Sequence, residues 1–162
     1  MKIRHFIICS IATIIVVLGC KKIPERSYSV WMTNKSKETI SSYWALDPER
    51  HSYPDTTLSF GKEESIGYII KPGNTSYGGV PLLTIEEWIL RLPKDTLSIY
   101  IFSQDTVNKY SWSEIQSDYK VLRRYDLSIG DIHALYNEYD IPDIPYPPTE
   151  KMKNMKMYPP YH

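Results

Sequence analysis

"TLSIYIFS", residues 96–103, carries the clearest strand signal in the chain. Its β-branched and aromatic residues run with a period of two, which puts a row of side chains on each face of a sheet. The chain before it reads in the same way. "YSVWMTN", residues 28–34, sets Tyr28, Val30 and Met32 against Ser29, Trp31 and Thr33, so Trp31 shares a face with small polar groups. After the turn-like "NKSK" comes "ETISSYWAL", residues 38–46, and the two stretches are expected to pair as a hairpin. "TTLSF", residues 56–60, and "SIGYIIK", residues 65–71, are further strand candidates, the second closed by the turn signal "PGN" at Pro72–Asn74.

Beyond residue 83 helix signals take over. "TIEE" at Thr84, "SWSE" at Ser111 and "SIGD" at Ser128 each place an acid three residues after a hydroxyl, the spacing of a capping box. Trp112, Ile115 and Tyr119 then fall on one helical face, as do Ile129, Ile132, Leu135 and Tyr136. "KVLRRYDL", residues 120–127, fits a short strand or an extended linker. Strands first and helices later predict an α+β fold: an antiparallel sheet or sandwich carrying two or three short helices.

The N-terminus speaks to location. Lys2 and Arg4 precede an uncharged apolar run from Phe6 to Gly19, too short at fourteen residues to span a bilayer. Basic start, apolar middle and small terminal residue describe a secretory signal peptide over residues 1–19. "VLGC", Val17–Cys20, resembles the lipobox of bacterial lipoproteins, with valine where leucine is commoner. That resemblance implies lipidation of Cys20 and cleavage before it. Cys9 would leave with the signal, so the mature chain has no second thiol for a disulfide.

The mature chain of 143 residues is the size of one domain and has 17 basic and 19 acidic side chains. It has no basic block in its folded part, which argues against a nucleic-acid partner. The expected division is a tether at 20–27, a globular domain at 28–140 and a proline- and tyrosine-rich extended tail at 141–162. That tail holds six of the twelve prolines and shows no aliphatic periodicity.

Catalytic chemistry finds no motif. His51, His133 and His162 lack the i, i+4 spacing of a zinc helix, and no cysteine is left to supplement them. His51 has Asp47, Glu49 and Asp55 near it in sequence, but without the ordered pattern of a calcium loop. No serine lies in a G-x-S-x-G elbow or begins an S-x-x-K run, and no glycines have phosphate-loop spacing. The expectation is a protein without metal, cofactor or catalytic activity. Aromatic side chains are the remaining candidates. Trp31, Tyr43, Trp44 and Tyr53 fall in or near the first pair of strands, where an exposed set could stack on sugar rings; the competing reading puts them in the core. Three Asp-Thr triplets, at Thr56, Thr96 and Thr106, resemble O-glycosylation acceptors of Bacteroidota.

The pattern "YSW..I..DY..L.RYDLS..D", Tyr110–Asp131, resembles a recurring one in small uncharacterised envelope lipoproteins of the Bacteroidales. The resemblance implies an outer-membrane lipoprotein and transfers no site residues. "CKKIPER" lacks the acidic run common in surface-exported members, which favours the periplasmic face. The expected function is docking of an envelope partner protein through the tail, with glycan binding through the first aromatics as the alternative.

Overall fold

A computed structural model describes residues 29–62, 67–79 and 82–162, so the expected signal peptide, Cys20 and the expected tether lie outside the described residues. The chain runs β1 (Ser29–Asn34), β2 (Ile40–Trp44), β3 (Tyr68–Ile70), β4 (Thr75–Gly79), α1 (Ile85–Ile89), β5 (Leu97–Ser103), α2 (Gln104–Lys109), α3 (Trp112–Ser117), β6 (Arg123–Leu127), α4 (Ile129–Ala134), β7 (Asp143–Tyr146) and β8 (Lys156–Tyr158). The fold is α+β. A three-stranded sheet has the order β4-β1-β7 and a five-stranded sheet the order β3-β2-β5-β6-β8. No described helix is long and apolar enough to cross a membrane.

β5 organises the interior, with all seven of its residues buried. Leu97, Ile99 and Ile101 point into a core shared with Val30, Met32 and Ile144 of the smaller sheet and with Ile85, Ile89, Ile132 and Leu135 of α1, α4 and their flanks. Tyr100 and Phe102 point the other way, into a second core with Leu58, Phe60, Val107 and Ile115. A strand buried on both faces needs apolar side chains on both, and residues 97–103 supply them except at Ser98 and Ser103. Each fully buried aliphatic side chain here contributes about 1.5–3 kcal/mol.

The helix starts follow the sequence closely. Thr84, Ser111 and Ser128 each accept from the backbone N–H three residues on, and Glu87, Glu114 and Asp131 each accept in return from the cap backbone. Each box satisfies two N–H groups that the first turn leaves without partners.

Three expectations need correction. β1 and β2 do not pair; they belong to different sheets. Asn34, fully buried between them, donates from Nδ2 to the carbonyls of Glu38 and Ile70 (both 2.8 Å) and accepts from Ser36, turning the chain from one sheet into the other. "TTLSF" is irregular. The N–H groups of Thr57 and Ser59 donate to the Asp55 carboxylate (2.9 and 3.1 Å) where a strand would send them to a neighbour.

The third correction concerns the C-terminus, where 141–162 is part of the domain and not a tail beyond it. β7 pairs with β1 in parallel, and β8 pairs with β6 antiparallel. Ile144, Tyr146, Met152 and Met155 belong to the first core. The prolines that argued for an extended tail are compatible with this, because Pro145 sits in an edge strand, where one missing N–H is tolerated.

Candidate functional site

The four aromatic residues singled out in the sequence do not form one platform. Trp44 is 5% exposed, its Nε1 donates to Ser42 Oγ at 3.2 Å, and its ring lies against Gly78, where a Cβ would stand only 2.7 Å away. Tyr43 stacks on Phe60 at 3.8 Å between centroids, with its hydroxyl 2.5 Å from His51 Nε2. The half-exposed Tyr53 lies under the Lys156 ammonium, 4.7 Å from its ring centroid. These three rings serve packing, and Tyr43 and Trp44 also line a second cleft of about 330 Å³ with Ser42, Leu46, Gly67 and Tyr68. Trp31 alone of the four stands on an open sheet face, the one opposite Val30 and Met32.

There it is joined by two rings that sequence reasoning missed. Tyr77, its cross-strand partner on β4, meets it edge-on at 5.6 Å and 85°. Tyr139, from the loop after α4, lies 6.1 Å from it on another side. Tyr77 and Tyr139 are 63% and 66% exposed, so the trio forms an aromatic ledge and not a core remnant. Tyr77 follows the "PGN" turn and Tyr139 sits in a loop; neither position carries a periodic signal that would tie it to Trp31.

Polar groups continue the ledge along β1. Thr33 donates to Asp143 Oδ1 at 2.7 Å and lies 2.9 Å from Thr75 Oγ1. Since the single Thr33 proton is committed to Asp143, Thr75 is the donor in the second bond. The result is a directed row, Thr75 to Thr33 to Asp143, that leaves acceptor capacity on the Thr75 hydroxyl and the carboxylate. Beyond Asp143 opens a cleft of about 290 Å³, lined by Lys35, Tyr136, Asn137, Glu150 and Lys151 among others. Lys35 reaches it because the β1–β7 pairing runs one step past the strand, its N–H donating to the Tyr146 carbonyl at 2.6 Å. Tyr136 donates to Glu86 Oε1 at 2.9 Å; burial, and then that bond, push its hydroxyl up to about 12. The same carboxylate oxygen meets His133 Nε2 at 3.1 Å, tying α4 to α1.

The most polar interior cluster is a clamp. Arg124 directs Nε and Nη2 at Asp126 Oδ2, both at 3.1 Å, and Nη1 at the Asp55 carbonyl and the Tyr119 hydroxyl, both at 2.7 Å. Ser98 donates to the other Asp126 oxygen at 2.8 Å. With Arg124 8% and Asp126 3% exposed, the group is closed to a ligand and fastens the 45–62 loop over the second core. Thr56 is exposed in that loop, Thr96 donates to the Lys94 carbonyl at 2.9 Å, and Thr106 lies half-buried within α2. Among the described residues no group of three or more metal-ligating side chains occurs.

Among the described residues, the ledge and its cleft combine exposed aromatic rings with placed donors, acceptors and charges, the chemistry needed to hold a ligand. No protein-family model matches the chain, and no curated protein and no solved structure matches it either.

Proposed function

We propose that this chain is a lipid-anchored, non-catalytic protein of the cell envelope that binds carbohydrate on the open face of its smaller sheet. One observation carries the reading: a half-buried Trp31 on the outer sheet face, flanked by two exposed tyrosines and followed directly by hydrogen-bonding groups. Sugar rings present apolar C–H faces and a rim of hydroxyls, so a site for them needs aromatic surface with a few placed donors and acceptors beside it. Docking through a free C-terminal strip loses its support, because that segment is folded into both sheets. A partner protein stays as the second reading, favoured by β8, an edge strand whose Tyr158 is 48% exposed.

The anchoring rests on the lipobox-like "VLGC" ending at Cys20. Cys20→Ala is expected to abolish acyl labelling and leave the precursor uncleaved; normal processing of that variant refutes it. For the ligand, retention in polysaccharide-containing native gels is expected to fall at least tenfold for Trp31→Ala, with an unchanged melting midpoint, as loss of a stacking anchor worth about 1.4 kcal/mol would produce. A folded Trp31→Ala chain retained as strongly as the parent sinks the carbohydrate reading.

A further inference from the structure

The cleft beside the ledge carries a charge pattern that narrows the ligand. Glu150 is engaged, 2.7 Å from Lys153 Nζ and accepting from the Tyr161 hydroxyl. Asp143 is engaged by Thr33. Lys35 and Lys151 line the same cleft, and neither has a carboxylate within ion-pair distance among the described residues. Two ammonium groups with no ion-pair partner thus stand at one end of a strip whose other end is aromatic, with the Asp143 carboxylate between them and the rings.

The spacing sets the ligand's length. At about 3.3 Å per residue, the four steps from Trp31 to Lys35 cover roughly 13 Å, longer than one sugar ring. Resting on the carbohydrate reading, we infer that the strip takes an acidic oligosaccharide: one ring stacks on Trp31, the middle hydroxyls meet Thr75, Thr33 and Asp143, and a carboxylate or sulfate on a further ring is held by Lys35 and Lys151. Asp143 disfavours an anion in the middle of the strip, so the acid is read at the lysine end. Charge-assisted hydrogen bonds from two ammonium groups discriminate against an uncharged sugar of the same shape.

The test compares each charged glycan with its own neutral form. Polygalacturonate is paired with its methyl ester, and chondroitin sulfate with its desulfated, carboxyl-reduced form; a neutral glucan and a neutral mannan complete the set. Binding is measured by calorimetry on the full mature chain. The expected result is that at least one charged glycan binds about tenfold or more tightly than its neutral counterpart. The discrimination shrinks with added salt and disappears in the Lys35→Ala/Lys151→Ala double variant, while Trp31→Ala loses both forms. Equal binding of charged and neutral forms, or a double variant that still discriminates, overturns the acidic inference. If only neutral glycans bind and Trp31→Ala abolishes that binding, the acidic inference falls and the carbohydrate reading stands. If no glycan binds the wild-type chain, both fall.

Discussion

Replacing Arg124 by alanine is expected to be among the most damaging single changes outside the hydrophobic cores. The guanidinium is held by the Asp126 carboxylate, the Asp55 carbonyl and the Tyr119 hydroxyl, in a site where Asp126 is 3% exposed. Its removal leaves the buried Asp126 carboxyl group supported by Ser98 alone, and breaking one side of a buried pair costs about 3–5 kcal/mol. Against a typical domain stability of about 5–15 kcal/mol, that is about a fifth or more of the total. The same reasoning makes a second, less obvious claim. Most of the loss comes from the stranded buried polar group, so Arg124→Met/Asp126→Leu is expected to be more stable than Arg124→Ala alone, although the Asp55 carbonyl still loses a donor. Urea unfolding followed by tryptophan fluorescence gives each free energy, and the double-mutant cycle gives the coupling. A loss under about 1 kcal/mol for Arg124→Ala, or a double variant at least as unstable as the single one, refutes the clamp as described.

Truncation after residue 140 removes Ile144, Tyr146, Met152 and Met155 from the first core, about 6–12 kcal/mol of burial at about 1.5–3 kcal/mol each. The shortened chain is expected to lack a cooperative thermal transition; a sharp one would return the C-terminal residues to the status of an appendage. Burial opposes ionisation of Asp55, but hydrogen bonds from Thr57 and Ser59 outweigh it and lower its pKa from the ordinary 3.8. A depressed carboxylate stabilises the fold above its unfolded pKa and loses that contribution as pH falls through the folded value. Stability is therefore expected to drop below about pH 4, and more shallowly in Asp55→Asn, as read from urea midpoints across the acid range.

What could be read from the residues alone was whatever is decided locally. Capping boxes announce themselves within four residues, and all three form. β5 and β6 are strands in the stretches that suggested them, and the alternation of β1 put Trp31 opposite Val30 and Met32. Partner choice was not legible. The hairpin expectation failed because one buried amide, Asn34, sends the chain to the other sheet, and nothing in "NKSK" distinguishes that turn from a hairpin loop. The C-terminal strands were hidden because four residues such as "DIPY" bury only Ile144, Pro145 and Tyr146, too few for a periodic pattern. The ledge was one-third visible: Trp31 was marked, but Tyr77 and Tyr139 join it only through pairing and loop closure.

The parallel pairing of β1 with β7 bears on when this chain can fold. Thr33 and Asp143, which hydrogen-bond across that pair, lie 110 residues apart. A nascent chain delivered N-terminus first presents one side of β1 without its native neighbour until almost everything else has emerged. Contacts of such long range form slowly, and an unpaired strand edge invites the wrong partner in the meantime. No prefix that ends before β7 completes the smaller sheet, so a chain stopped short of it by premature termination or proteolysis carries an open β1 edge where the finished protein has none. Loss of the last twenty residues thereby leaves both sheets short of a strand, a fragment that chaperones and proteases can tell from the whole domain.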